Sequence, residues 1–337
     1  MKSILSEKIR NFLIMARIEL AGFSFVAVLG AMTITGRSIA LFDVIALFIF
    51  NCLLVIFGFV HNDYEDYEID KRLPELQHRP LVNGSISLQS AFTSSILLLL
   101  IAIGGAFLLY SPKAALLLSG ALFLAGAYNK YSKSLLGADL FYGISAGALF
   151  LFGAAAVQES SDSFTLFTLA MALVMVLEHL FFNIASGQLK DVHFDRTAGV
   201  KTLAVALSHV EDDITVIHTS FKVICLSIKI ITYGTIFSLF FFSILPMITW
   251  QFVLLLFFSA GSFGLTLKLL KTPVEEREKI LEYSRKQEMF SKSLIPMVLL
   301  PEIGITWLLL FTVGPIIWFS FFNYLLNREF LGNPKTF

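Results

Sequence analysis

The sequence predicts an all-α protein, a polytopic transmembrane bundle of about nine helices with loops capping its cytoplasmic side. Three observations predict it. Of 337 residues, 56% are hydrophobic and only 15% charged, and mean hydropathy is +0.78, which leaves too little polar surface for a soluble chain of this length. The apolar residues come in blocks of roughly 20, the length at which a helix crosses a bilayer. Basic residues gather in alternate loops, as expected of a chain that threads back and forth.

The expected spans are 12–34, 39–60, 88–110, 113–130, 136–157, 164–186, 222–247, 249–269 and 294–326. The first follows Lys2, Lys8 and Arg10 and lacks a short apolar region with a small-residue cleavage site, so it reads as an uncleaved span. The last contains Pro301 and Pro315 and is long for one crossing, so it reads as a kinked helix or two short ones. The whole chain, 1–337, reads as a single domain. Two acid-rich loops four spans apart hint at pseudo-halves, 12–130 and 136–269, plus the terminal helix 294–326.

Loop charge sets the orientation. Lys71, Arg72 and Arg79 follow span two, and Lys130 and Lys133 follow span four. Lys190, Arg196 and Lys201 follow span six, and Lys271, Arg277, Lys279, Arg285, Lys286 and Lys292 follow span eight. The alternate connections hold Arg37, Lys113 or no base. The basic loops and the N-terminus are therefore expected on the cytoplasmic side of a cell membrane. A net charge of zero gives no bulk basic character for nucleic acid. Cys52 and Cys225 lie within apolar blocks and suggest no disulfide scaffold.

Two stretches carry the chemistry. The first runs His61-Asn62-Asp63-Tyr64-Glu65-Asp66-Tyr67-Glu68-Ile69-Asp70. If span two continues as helix, Asn62, Asp66 and Asp70 fall at i, i+4 and i+8, and Asp63 shares their face. Five carboxylates within eight residues repel one another unless cations neutralise them, and hard oxygen donors of this kind suit Mg²⁺. His61 reads as a polar residue at the interface. In the second stretch Asp191 and Asp195 stand four apart, and the same face extended back into span six reaches Gly187, Asn183 and His179. Such a polar stripe would line a cavity or join helices by hydrogen bonds. Glu178, an acid at that depth, requires a partner or a role. Arg17 and Glu19, two apart, do not face each other on a helix, so each needs another partner.

The order Asn62-Asp63-x-x-Asp66-x-x-x-Asp70, then Arg79-Pro80-Leu81-x-x-Gly84, resembles the first signature of the UbiA superfamily of intramembrane prenyltransferases. Asp191-x-x-x-Asp195-x-x-x-Gly199-x-x-Thr202-Leu203 is similar to its second signature, and Tyr128 to Lys133 to the segment between them. The resemblance implies a nine-helix bundle open laterally to lipid, in which both aspartate motifs bind Mg²⁺ ions that hold the diphosphate of a polyprenyl donor. It places Asn62, Asp66, Asp70, Asp191 and Asp195 on metal-binding positions, with Asp63 inside the same motif. Asp66, Asp70, Asp191 and Asp195 become the catalytic candidates. Arg79, Tyr128, Lys130 and Lys133 match regions that assist the diphosphate. Arg17, Asn183 and Lys190 complete the substrate-binding candidates. The sequence departs from the family's frequent Arg-Pro-Leu-Pro-Ser-Gly, which here is Arg79-Pro-Leu-Val-Asn-Gly84, and carries an unusual Ser208-His-Val-Glu-Asp-Asp213.

The expected reaction is Mg²⁺-dependent transfer of a prenyl group from a polyprenyl diphosphate to a lipophilic acceptor. The acceptor expected is an isoprenoid glycerol phosphate, as in archaeal ether-lipid synthesis, or an aromatic quinone precursor. A terpene cyclase of the same fold is the nearest alternative. A secondary transporter is the alternative from another class, because polar residues inside spans also mark transport paths.

Overall fold

A computed structural model describes residues 6–34, 39–159, 161–212, 214–246 and 248–327, without the side chains of Glu75 and Glu302. Lys2, Arg37 and Asp213, named above, lie outside the described residues. Seven described helices are long and apolar enough to cross a membrane, and eight when a bent pair at the N-terminus is taken as one span.

The first span is broken rather than continuous over 12–34. It comprises α1 (Glu7–Met15), α2 (Ile18–Ala21) and α3 (Val26–Ala31), with a 49° bend after α1. The break falls at Arg17, whose backbone is left-handed (φ 45°, ψ 48°), a conformation costly for any residue but glycine. α4 (Leu41–Glu65) continues into the short α5 (Tyr67–Asp70); α6 (Leu88–Leu109) and α7 (Pro112–Tyr131) follow. α7 has the length of a span, but Lys113 and Lys130 at its ends dilute its apolar character. Its Leu118 and Leu122 are nonetheless fully buried in the main core.

α8 (Asp139–Val157) packs closely on α3, because glycines meet backbone on both sides. A Cβ on Gly30 would lie 1.9 Å from the Phe150 carbonyl oxygen, and one on Gly153 would lie 1.7 Å from that of Ala27. Small residues let membrane helices approach in this way and gain packing energy without a hydrophobic drive. α9 (Leu166–Phe181) then passes into a π-helix, Phe182–Gln188, followed by the short α10 (Val192–Thr197) and α11 (Leu203–Ala206).

The all-α expectation needs one addition. β1 (Ser208–Glu211) and β2 (Ile214–Ile217) form an antiparallel hairpin with Ser208 opposite Ile217. The β-branched run Ile214-Thr-Val-Ile favours that extended form. α12 (Thr219–Phe241) and α13 (Thr249–Lys271) lead to α14 (Arg277–Asn327).

α14 corrects one expectation, a charged loop up to residue 293, and its break agrees with the kinked helix or two short ones expected at 294–326. The charged segment is already helix, and the chain reverses at Gly304 (φ 72°, ψ 171°), a region open essentially to glycine alone. Before Gly304 the helix runs antiparallel to α13. Gln251 Nε2 donates to the Met297 carbonyl over 2.7 Å, and the Phe258 and Phe290 rings lie 5.4 Å apart. After Gly304 it runs antiparallel to the first span. Phe311 meets Phe25 at 5.1 Å, Trp318 Nε1 donates to the Ile18 carbonyl over 2.8 Å, and Arg10 Nε to that of Leu326 over 3.0 Å. The two legs bring residue 326 back to the level of residue 10.

Candidate active site

The first acidic motif keeps its helical spacing across the small break after α4. Asp66 N–H donates to the Asn62 carbonyl and Asp70 N–H to that of Asp66, both over 2.9 Å. One edge therefore turns inward: Asp63, Asp66 and Asp70 are only 3%, 8% and 6% exposed, whereas Glu65 is half-buried and Glu68 exposed. Burial thus separates three carboxylates of the five as the functional edge. Asn62 Nδ2 donates to Asp66 Oδ2 over 3.1 Å. Arg17 Nη2 donates to Asp63 Oδ1 over 3.0 Å, with its guanidinium 4.6 Å from the Phe59 ring centroid. The break in the first span lets this happen, since it frees Arg17 to cross to α4.

Arg79 donates to Asp70 and also lies 3.5 Å from Asp63. The turn after it is tied down locally: Asn83 N–H donates to the Arg79 carbonyl over 2.9 Å, and Asn83 Oδ1 accepts from Ser85 N–H over 2.9 Å. Gly84 takes the left-handed conformation the turn needs, φ 79°. The Val-Asn of this sequence therefore builds a working turn in place of Pro-Ser.

In the second motif, Asp195 N–H donates to the Asp191 carbonyl over 2.8 Å, and Gly199 (φ 71°) turns the chain back so that Val200 N–H reaches the Asp195 carbonyl over 2.9 Å. Thr202 caps α11 by accepting from Val205 N–H over 3.4 Å. Asp195 is 7% exposed; Asp191 is more open, with Lys190 Nζ at 3.7 Å and Arg277 Nη2 at 3.4 Å.

Lys133 joins the two motifs. Its Nζ donates to Asp195 Oδ1 over 3.3 Å, its carbonyl accepts from Lys201 N–H over 3.0 Å, and its charge also acts on Asp66 and Asp191. Burial pulls the Lys133 ammonium down, but Asp195, Asp66 and Asp191 outweigh it, and its pKa stands above the usual lysine value. Burial pushes Asp66 up to about 6 against the pull of Lys133, with Asp70 adding to the rise. Burial also raises Asp70 and Asp195, opposed by Arg79 and Lys133 respectively. Burial, the largest cause, therefore makes these carboxylates easier to protonate despite the cations beside them. Their donors are hard oxygens, and among the described residues no three acids, histidines or cysteines close into a metal cage. Such a set fits Mg²⁺, which takes one or two carboxylates and fills its shell with water and phosphate oxygens.

Other candidates lie elsewhere. Lys130 is exposed, with Nζ 5.6 Å from the Tyr131 ring centroid, and does not join the carboxylates. Tyr128 and Asn183 belong to a neighbouring network: Tyr128 Oη donates to Asn183 Oδ1 over 2.8 Å, and Asn183 Nδ2 to Asp139 Oδ1 over 2.6 Å. Gln188 Nε2 donates to the same Asp139 oxygen over 2.6 Å, while its own oxygen accepts from Ala204 N–H over 3.0 Å. The stripe expected at Gly187, Asn183 and His179 is turned aside by the π-helix, whose longer turn shifts the face at each step. His179 Nδ1 donates to the Met175 carbonyl over 2.9 Å. His61 stacks on Phe57 and lies 3.5 Å from Glu65. Sequence reasoning missed Asp139 and Gln188, which begin and end apolar blocks, and Arg277, which read as loop charge. It also missed Lys229, the partner Glu178 required: Nζ lies 2.7 and 2.8 Å from the two Glu178 oxygens.

The sequence profile of the UbiA prenyltransferase family matches residues 23–294. The chain belongs to that family. It is an intramembrane prenyltransferase, and the two acidic motifs described above lie within the matched segment, as does Lys133. Arg17 lies before the segment and the second leg of α14 after it. A search of curated proteins finds no match. Several solved structures share the UbiA fold. Digeranylgeranylglyceryl phosphate synthase is 18% identical, with 88% of this chain and 99% of that one covered, at a TM-score of 0.65. A UbiA homologue from Aeropyrum pernix K1 is 20% identical, covering 85% and 96%, at 0.61. One from Archaeoglobus fulgidus, solved with DMAPP and Mg²⁺, is 17% identical, covering 85% and 99%, at 0.58.

Proposed function

We propose that the two acidic motifs form one site, at which Mg²⁺ and the basic side chains hold a polyprenyl diphosphate whose prenyl group passes to a lipophilic acceptor. The observation that carries this reading is Lys133, whose ammonium bonds to Asp195 of the second motif and by its charge lowers the pKa of Asp66 of the first. The Archaeoglobus homologue solved with DMAPP and with GPP, each with Mg²⁺, supports the donor class.

Asn62, Asp63, Asp66, Asp70, Asp191 and Asp195 would hold the metal, which when bound neutralises charge on the diphosphate. Arg79 and Lys133 donate to phosphate oxygens and steady the leaving group as the allylic C–O bond breaks and the diphosphate keeps the electron pair. The apolar interior of the bundle keeps water from the allylic cation. The acceptor then bonds to C1 and gives up a proton to solvent or to the departing diphosphate. The likeness to digeranylgeranylglyceryl phosphate synthase supports an isoprenoid glycerol phosphate over an aromatic quinone precursor. The positive-inside pattern supports a site opening to the cytoplasm.

The test is incubation of purified protein with prenyl diphosphates of several lengths and with both acceptor classes, followed by product masses and pyrophosphate release. Transfer requires acceptor and Mg²⁺ together. Pyrophosphate released without acceptor, with a hydrocarbon or alcohol product, would instead mark a cyclase.

A further inference from the structure

Asp191 differs from the other acidic residues in what surrounds it. Its side chain is 36% exposed, and it is the carboxylate that Lys190 and Arg277 share, at 3.7 and 3.4 Å. Neither distance is that of a tight ion pair. Arg277 Nε is buried and has no hydrogen-bond partner among the described residues, a donor left unspent at appreciable cost. Lys190 also lies within electrostatic reach of Arg17 and Arg79, so four cations gather near this edge. Arg17 and Arg79 are committed to Asp63 and Asp70. Among the described residues Lys190 and Arg277 pair with Asp191 alone, whose oxygens are also proposed as a metal ligand. Arg277, its side chain 39% exposed, therefore keeps part of its planar donor fork free beyond the long contact to Asp191, beside the donor site. Arg277 opens α14, whose N-terminal dipole adds to the positive field.

We propose that Lys190 and Arg277 form a second anion subsite, which receives the phosphate of an anionic lipid acceptor. The proposal rests on the prenyl-transfer reading of the same site. The donor diphosphate lies between the two motifs, where Lys133 and Arg79 serve it; Arg277 arrives from a different helix, on the open side of Asp191. A guanidinium with free donors matches a phosphate monoester in bidentate geometry, and a neutral aromatic ring offers it nothing equivalent.

Full-length protein in zwitterionic nanodiscs is supplied with a saturating prenyl diphosphate and either a prenylated glycerol phosphate or the same glycerol lacking the phosphate. Arg277→Ala should raise the KM of the phosphate acceptor by on the order of tenfold or more, with donor KM held within about twofold. The phosphate-free alcohol should show no such difference between wild type and variant. Inorganic phosphate should compete with the phosphate acceptor in the wild type and much more weakly in the variant. A matching rise in donor KM, or an unchanged acceptor KM, overturns the proposal. If Arg277→Ala does not fold, Arg277→Lys, which keeps the charge and loses the fork, should still raise acceptor KM severalfold, and no change there is equally fatal. A defect confined to nanodiscs of anionic lipid would give the subsite to a bilayer headgroup and overturn the acceptor assignment. A wild type that prenylates only neutral acceptors refutes this subsite alone; one that prenylates nothing refutes the transferase reading and the subsite with it.

Discussion

Lys133 Nζ lies 3.3 Å from Asp195 Oδ1, and the same ammonium acts on Asp66 and Asp191. One side chain from the connection after α7 thereby links acids at the end of α4 with acids at and within α10. Each motif alone is a short acidic edge with too few ligands to enclose a metal. Lys133 bonds to one edge and acts by its charge on the other, the arrangement on which the proposed single site rests.

Lys133→Met should lower kcat/KM for the prenyl diphosphate by about two orders of magnitude, the scale of losing one charged group that stabilises a leaving oxyanion. The backbone bond from Lys201 N–H to the Lys133 carbonyl is untouched, so the protein should remain folded. Lys133→Arg should recover part of the loss. Steady-state kinetics on the two variants, with melting curves as control, is the check; a loss below threefold would remove Lys133 from the mechanism.

The pKa of Asp66, about 6, gives a pH dependence of definite sign. Because burial raises it, the protonated form is favoured in the folded, metal-free protein. Ionised Asp66 therefore costs stability above pH 6, and that cost is relieved as pH falls from 6 toward 4. Mg²⁺ needs the ionised form, so its apparent affinity should weaken by about tenfold per pH unit below 6. Metal-free thermal stability should rise over the same interval. Asp66→Asn should flatten much of that rise, with raised Asp70 and Asp195 supplying the remainder.

Lys229 is fully buried, bonded to both Glu178 oxygens and, over 2.7 Å, to Ser291 Oγ. It links α9 and α12 to the first leg of α14. Lys229→Met strands Glu178 inside the bundle and should cost about 3–5 kcal/mol, read as a large fall in Tm in detergent. Adding Glu178→Leu should restore most of it, since an apolar pair of similar volume replaces a buried ion pair at little cost. A single variant as stable as wild type would show the pair to be dispensable.

The residues that could be read from the sequence are those whose spacing alone fixes a direction. Asp63, Asp66 and Asp70 share a face because the helix hardly breaks between them. Asp195 sits four after Asp191 within a regular turn. Lys190 and Arg79 announce themselves by charge beside those acids. Arg277 and Asp139 do not, because their roles come from long-range packing, which brings residue 277 against 191 and residue 139 against 183. Two backbone irregularities are equally silent, the left-handed Arg17 and the π-helix at 182–188, each of which redirects a span whose apolar composition is continuous. The reversal at Gly304 is legible only as a kink, through Pro301 and Pro315 and the excess length of the last block.

Orientation can be read chemically. Cys52 and Cys225 are buried, leaving a quiet background for a new thiol. Glu68, on α5 with a side chain 65% exposed, and Ser161 lie in connections between spans assigned to opposite sides. In intact cells an impermeant maleimide should label Ser161→Cys, and Glu68→Cys only after permeabilisation. The reverse pattern would invert the topology.

Whether both acidic motifs serve one site is measured directly by Mg²⁺-dependent binding of an unreactive thiolo-diphosphate analogue. Asp66→Asn alone and Asp195→Asn alone should each weaken binding by about two orders of magnitude or more, and the double variant should be scarcely worse than either, as groups acting on one ligand are not additive. Binding that survives undiminished in either single variant, or losses that simply add in the double, would contradict a single site.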